Sequence, residues 1–356
     1  MTDTKSVLIL GASYGTLLAT KLLMAGHRVT LVCLPEEARQ IEQAGVLVRM
    51  PVRGREAKVE VDSRRLPGAL SAVAPAEAEP AGYDLAVLAM QEPQYRAPEL
   101  RALLRRIDAA RVPMMSIMNM PPLPYLARLP GVAADTLRAC SADATVWDGL
   151  APRRFTLASP DPQAFRPDPS DPTLLEVSLP TNFKVARFED PAHTALLERL
   201  AADIEAARFD AGGEALALPV KLKVHESLYV PLAKWAMLIT GNYRCIGETA
   251  VRPIREAVHS DLEASRDIYE WVCAVCTTLG AAPADMVPFE KYAGAAEGLA
   301  KPSSVARALA AGAPDIERVD ALVEALAAGC GMHHPALEAI TARVDRWLAR
   351  NRQAAA

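Results

Sequence analysis

The sequence predicts an α/β protein: a doubly wound sheet domain over residues 1–190, followed by an all-helical domain over 191–356. Three observations carry this reading. An aliphatic run, a glycine turn, a helical run and a second aliphatic run follow one another at the N-terminus, and a strand–helix–strand unit of that kind is the crossover that parallel strands need. Further short β-like runs recur over the next hundred residues. Near Asp190 the apolar spacing changes to that of helices.

In chain order, Val7 to Leu10 form the first strand, and the run stops at Gly11. Helical spacing starts near Thr16 with Leu17, Leu18, Leu22 and Leu23 on one side, and Gly26 ends that helix as a left-handed cap. Arg28 to Leu34 supply the second strand; Leu85 to Ala89 and Val112 to Met118 supply others. Between Pro121 and Asp190 the chain is proline-rich, and Phe155 to Ala158 and Leu174 to Leu179 read as antiparallel edge strands. Beyond it, Leu196, Leu197, Leu200 and Ile204 lie on one helix face, as do Ile316, Val319, Leu322, Val323 and Leu326, and then Leu337, Ile340, Val344 and Leu348.

Composition narrows the function. With 51% hydrophobic and 23% charged residues the chain is too apolar for disorder. A net charge of -4 and a pI near 5.9 give no global field for nucleic acid or an anionic membrane. No apolar run reaches the roughly 18 residues of a membrane span. Six scattered cysteines form neither a disulfide framework nor a zinc site. A reduced, cytoplasmic protein acting on a small molecule, with no metal, is expected.

The stretch VLILGASYGTLLATKLLMAGHRVTLV carries the clearest chemistry. A dinucleotide pyrophosphate needs glycines where the backbone turns and approaches it, with helix N-terminal amides aimed at the charge. Gly11 and Gly15 meet that need in G-x-x-x-G spacing, one residue shorter than the usual fingerprint, and Ser13 can add a hydroxyl. Cofactor contacts are therefore expected from Gly11, Ala12, Ser13, Tyr14 and Gly15, with Met90 and Gln91 after the third strand. At the end of the second strand Cys33 and Leu34, followed by Pro35, Glu36 and Glu37, satisfy neither the acidic signature of NAD nor the arginine of NADP.

Together with YDLAVLAMQEPQ, SIMNM, KWAMLITGN and KPSSVARALAAGAPD in that order, this stretch resembles the ketopantoate reductase (2-dehydropantoate 2-reductase) family over most of the chain. The resemblance implies a Rossmann-type domain binding NADPH, a helical domain of the 6-phosphogluconate dehydrogenase kind, a homodimer, and hydride transfer to a small 2-oxo acid. It implies Lys234 as general acid, with Asn119, Asn242 and Ser304 holding substrate. The family's later acid falls on Asp315 or Glu317, or on Arg318 if the next helix is aligned instead; Asp315 is taken as the substrate contact. The chain departs from the family at Gln91, Leu34, Leu238 and Met120. These changes point away from ketopantoate itself.

The chemistry also stands without the resemblance. Hydride delivery to a ketone builds charge on oxygen, which a nearby ammonium such as Lys234 stabilises and protonates. Asn242 lies eight residues on, near the same helix face. The expected function is an NAD(P)-dependent oxidoreductase for a small 2-oxo or 2-hydroxy acid or related carbonyl. The alternatives are an opine-type dehydrogenase reducing an imine and a nucleotide-binding sensor without turnover. Cys273 and Cys276 read as core, and His333-His334 as a loop lacking carboxylates.

Overall fold

A computed structural model describes residues 3–355. The chain divides into two compact units. Unit 1 comprises residues 1–90, 94–118 and 149–226; unit 2 comprises 91–93, 119–148 and 227–356.

Unit 1 is built on β1 (Ser6–Leu10), α1 (Gly15–Met24), β2 (Arg28–Val32), α2 (Pro35–Ala44), β3 (Leu47–Met50), β4 (Val59–Asp62), β5 (Ala69–Val73), β6 (Leu85–Leu88), α3 (Pro98–Ala109) and β7 (Met114–Ile117). It continues with β8 (Phe155–Ser159), β9 (Gln163–Phe165), β10 (Leu174–Leu179), β11 (Phe183–Ala186), α5 (Pro191–Ala206), the short strands β12 (Phe209–Asp210) and β13 (Ala215–Leu216), and β14 (Leu222–His225). The main sheet runs β14-β11-β8-β7-β6-β1-β2-β5. From β5 to β8 all its pairings are parallel. Counted within this sheet, those six strands have the 3-2-1-4-5-6 order of a Rossmann sheet, and the switch point lies between β1 and β6.

Three sequence expectations change here. Phe155 to Ser159 is not an edge strand: it pairs parallel with β7 and antiparallel with β11, and all five residues are buried. Leu174 to Leu179 instead enters a second sheet of order β4-β3-β10-β9. The sheet unit does not stop at residue 190, because α5 and β14 follow and β14 extends the main sheet beside β11. A helix reads alike in sequence whichever core receives it, which is why α5 looked like the start of a helical domain.

One apolar cluster joins α1, the inner face of β1 and β2, α5 and the second sheet. Every residue of α1 is buried, including Lys21.

Unit 2 contains α4 (Leu123–Leu126), α6 (Lys234–Met237), a π-helical turn over Leu238–Tyr243, α7 (Ile254–His259), α8 (Leu262–Thr278), α9 (Phe289–Ala296), α10 (Ser304–Ala310), α11 (Val319–Gly329) and α12 (Pro335–Ala355). The π turn is the hub against which α7, α8, α10 and α11 pack. Here the Tyr292 hydroxyl donates to the Met237 carbonyl at 3.1 Å. A Cβ on Gly241 would sit 2.0 Å from that hydroxyl, so any side chain there must displace Tyr292.

Cys273 and Cys276 lie on α8 and are free thiols, Cys276 fully buried. His333 and His334 do precede a helix, but carboxylates are near them. His334 Nε2 is 3.0 Å from Asp267 Oδ2, and its Nδ1 accepts from the Ala336 amide, so it caps α12. No helix among the described residues is long and apolar enough to cross a membrane.

Candidate active site

In unit 1, β1 and β6 run parallel in register, so the chain leaves both at the same level. The Gly11 amide donates to the Val32 carbonyl at 2.8 Å and the Ala89 amide to the Leu10 carbonyl at 2.9 Å, which carries the ladder to the mouth of the switch point. Gly11 has φ +111°, a conformation in which a side chain is strained, and an added Cβ would lie 2.9 Å from the Ala89 carbonyl oxygen. On Gly15 it would lie 2.6 Å from Ile9 Cγ2, so Gly15 sets how closely α1 approaches β1.

No side chain caps α1. The first amides of a helix lack i−4 partners and suit an anion; here those of Thr16 and Leu17 donate to the Ser13 and Tyr14 carbonyls, each at 3.2 Å. Ser13 is exposed, with its hydroxyl free of protein bonds among the described residues. Ala12 is buried. Tyr14 faces away from this role: its hydroxyl donates to the Pro162 carbonyl at 2.7 Å and its ring meets Phe183 edge-on. Only the Tyr14 backbone remains for a cofactor. Met90 belongs to this unit and packs against Gly11; Gln91, expected beside it as a cofactor contact, lines a pocket of unit 2.

That pocket is lined by Gln91, Asn119, Asn242 and Ser304, with Glu317 and Tyr243 among its other polar walls. Four of the expected site residues thus converge from separate chain stretches. Ser304 opens α10. Its neighbour Ser303 is the cap, accepting from the Ala306 amide and donating to the Asn242 carbonyl at 2.7 Å. The double serine therefore divides its labour: Ser303 ties α10 to the π turn, and Ser304 is left at the pocket.

Asp315 is not at this site. It accepts from Arg352 Nη2 at 2.9 Å and is not among the residues lining the pocket. The acid that lines the pocket is Glu317, the option set aside in favour of Asp315. It receives Asn119 Nδ2 at 3.2 Å and the Met120 amide at 3.4 Å. Its backbone is clamped by Tyr243, whose hydroxyl donates to the Glu317 carbonyl and accepts from the Val319 amide. Burial pushes the Glu317 carboxyl above its ordinary value, and the Asn119 and Met120 donors oppose that. Asn119 Oδ1 is buried without a partner, so a donor on a ligand has an acceptor waiting.

Glu92, which the sequence reading missed, is another buried acid of unit 2. Burial raises it to about 7, the Ala142 amide opposes the shift, and Glu317 adds to it. Lys234 stands at the first position of α6, half-buried, and is not among the residues lining the pocket. Eight residues of regular α-helix overshoot two turns by about 80°. The wider π turn winds less per residue and brings Asn242 closer to the Lys234 face. No cluster of three or more His, Cys, Asp or Glu suited to a metal occurs among the described residues.

Sheet order, switch point and glycine turn define a Rossmann-type α/β fold, followed in the chain by a helical unit. Among solved structures, the chain is similar to 2-dehydropantoate 2-reductase from Methylococcus capsulatus, with TM-score 0.66 and 14% identity over 98% of this chain and 97% of that one. It is similar to a PanE/ApbA family ketopantoate reductase from Ralstonia eutropha JMP134, with TM-score 0.62 and 17% identity over 98% and 99%. D-Mandelate dehydrogenase with NADH and anilino(oxo)acetate gives TM-score 0.59 and 12% identity over 98% and 99%. No protein-family model and no curated protein sequence matches the chain. The fold is that of the ketopantoate reductase structures.

Proposed function

We propose that the protein is a nicotinamide-dependent oxidoreductase acting on a small 2-oxo or 2-hydroxy acid or a related carbonyl compound. The observation that carries the proposal is the convergence of Gln91, Asn119, Asn242, Ser304 and Glu317 on one pocket of a chain with this fold. When bound, NAD(P) supplies or accepts the hydride. Gly11 to Gly15 hold its pyrophosphate, and Met90 borders the turn. Lys234 gives a proton to the oxygen on which charge develops; Asn119, Asn242 and Ser304 orient the substrate through neutral groups that do not compete for that proton. Glu317 takes over the place expected for Asp315.

The test is nicotinamide oxidation with panels of 2-oxo acids, aldehydes and ketones, with and without amines. Turnover only with an amine present moves the reading to an opine-type dehydrogenase. Lys234→Ala should lower turnover roughly a hundredfold or more with cofactor affinity unchanged, and near-wild-type turnover would remove Lys234 from the mechanism. One observation favours a second reading, a nucleotide-binding protein without turnover: Lys234 is absent from the pocket lining. Cofactor binding with no oxidation on any panel would select it. A cytoplasmic homodimer belongs to the leading reading, and sedimentation of the purified protein tests the dimer.

A further inference from the structure

Strands of a parallel sheet are normally covered on both faces, because each crossover between them is most often a helix. One crossover of unit 1 has none. Between β5 and β6 the chain passes β2 and β1 in residues 74–84 without a helix. The face of Val29, Leu31 and Ala72 is covered by α1 and α2. The opposite face carries Arg28 and Thr30 of β2, in register with Ala69 and Ser71 of β5. What crosses that face is the connection itself: Arg106 of α3 donates to the Pro75 and Ala78 carbonyls, each at 2.6 Å, and Tyr83 reaches Thr30. The result is a trough of about 390 Å³, whose walls include Ser6, Arg28, Thr30, Ser71, Glu79 and Tyr83. Small-molecule sites start at about 300 Å³. Ser6 and Arg28 open β1 and β2, so the trough lies at the edge of the sheet opposite the glycine turn, which follows the last residue of β1.

Its floor is a row of hydroxyls. Tyr83 Oη donates to Thr30 Oγ1 at 2.7 Å, and Thr30 Oγ1 lies 2.8 Å from Ser71 Oγ. Three hydroxyls sharing two bonds leave one proton without an acceptor, and the Tyr83 oxygen keeps acceptor capacity. A row with both capacities matches hydroxyl groups of a ligand, which also donate and accept. Thr30 is 8% exposed, so the row is set into the sheet. Beside it Arg28 is exposed, and its guanidinium makes no hydrogen bond or ion pair among the described residues. The acids nearby are already paired. Glu79 lies 3.7 Å from Arg106 Nη1, and Asp84 accepts from the Ser6 amide at 2.7 Å with Lys5 Nζ at 3.9 Å. One unpaired cation asks for one negative charge, and those two carboxylates oppose a second. A carboxylate meets the guanidinium fork with two parallel bonds. Arg28 stands two residues from Thr30, about 7 Å along the strand, so the carboxylate and the hydroxyls belong to different carbons of one short chain.

We propose that this trough is a ligand site of unit 1 in its own right, and that it takes a small monocarboxylate carrying several hydroxyls, with Arg28 on the carboxylate and the row of Ser71, Thr30 and Tyr83 on the hydroxyls. The site is independent of the reaction proposed above and of the glycine turn.

The experiment is calorimetric titration of the whole protein with D-galactonate as probe, beside galactitol, which lacks the carboxylate, and hexanoate, which lacks the hydroxyls. Galactonate should bind at millimolar concentration or below, and each partial analogue roughly tenfold or more weakly. Arg28→Gln, at an exposed side chain with no partner to lose, should weaken galactonate roughly 10- to 100-fold, the usual weight of charge-assisted bonds. Ala69→Glu, exposed at the register position beside Arg28, should abolish binding by setting an anion where the carboxylate belongs. Ser71→Ala should weaken galactonate and leave the residual affinity for hexanoate unchanged. Galactonate is itself a 2-hydroxy acid, so Ser304→Ala, in the pocket of unit 2, is the control and should leave this affinity as it is. No binding of galactonate to the folded wild type, equal binding of hexanoate, or unchanged affinity in Arg28→Gln overturns the proposal. A loss in Ser304→Ala alone assigns the ligand to the other pocket and overturns it too.

Discussion

Lys21 is the least expected residue in the core of unit 1: it is 1% exposed on a helix with no solvent face, and its ammonium donates to the Leu218 carbonyl at 3.2 Å. Burial, with Lys221 nearby, lowers it from 10.5 to about 7. Between those values the unfolded chain carries a proton that the native chain lacks, so native stability rises with pH from about 7 to 10.5. Glu92 acts in the opposite sense lower down. Its carboxyl is raised from 4.5 to about 7, the native chain holds the extra proton, and stability falls as pH rises through that window. Lys21→Met should therefore stabilise the protein by something on the order of a few kcal/mol at neutral pH and below, with the gain shrinking towards pH 10. Glu92→Gln should flatten the slope on the acid side. Urea unfolding at a series of pH values measures both, and a pH-independent gain in Lys21→Met would mean that the lysine is charged throughout. Residue-scale cofactor binding is tested by Gly15→Val, where a side chain would enter the 2.6 Å gap to Ile9 and spread the turn. An unaltered affinity for both cofactors would show that the turn holds no pyrophosphate.

The element that organises unit 2 is the π turn, and its spacing was visible in the sequence only as Lys234 and Asn242 eight residues apart. Nothing in LITGNY marks a π turn, since the widening is set by what packs on it: the Tyr292 hydroxyl donates to the Met237 carbonyl, and Gly241 leaves room. The acid of the pocket was unreadable for a similar reason. Asp315, Glu317 and Arg318 fall within four residues, all polar, and the tyrosine that fixes which of them turns inward lies more than 70 positions earlier. Gly241→Ala should cost about 1–3 kcal/mol by overpacking against Tyr292. Tyr292→Phe should cost about 1 kcal/mol for a single lost hydrogen bond. In the double variant the two losses should not add, because removing the hydroxyl makes room for the methyl. Strict additivity in chemical denaturation would show that the hydroxyl and Gly241 are not in contact.

At the scale of the molecule, the parallel half of the main sheet was legible because its strands are local apolar runs bounded by turns, and the helical segments because their period is local too. What was not legible is which unit takes each helix. The four residues of β14 give no pattern of their own, yet they bring 191–226 into the sheet unit. Arg166 sits in a stretch of Pro, Asp and Ser with no local signal, and only the fold sets it beside Glu37. A fragment ending at residue 190 should accordingly fail to fold: it lacks β14, and it lacks α5, whose Leu197, Leu200 and Ile204 complete the cluster around α1. Circular dichroism melting of residues 1–190 should show no cooperative transition, whereas a sharp one would restore the earlier boundary.

The interleaving of the two units also has a cost in time during synthesis. Residues 119–148 leave the ribosome long before the remainder of unit 2, which begins at residue 227. In the finished chain the Tyr125 hydroxyl donates to the Leu228 carbonyl, and the turns over 134–140 pack on α11. At roughly 5–20 residues per second, those partners arrive about 5 to 40 s later. Throughout that interval Leu123, Tyr125, Leu126 and Trp147, all buried at the end, can pack on the turns of their own segment but lack the cover of α11 and of the chain after residue 226. For that time this segment is open to aggregation and to capture by a holding chaperone, and its exposure is a property of the chain's threading rather than of any residue in it.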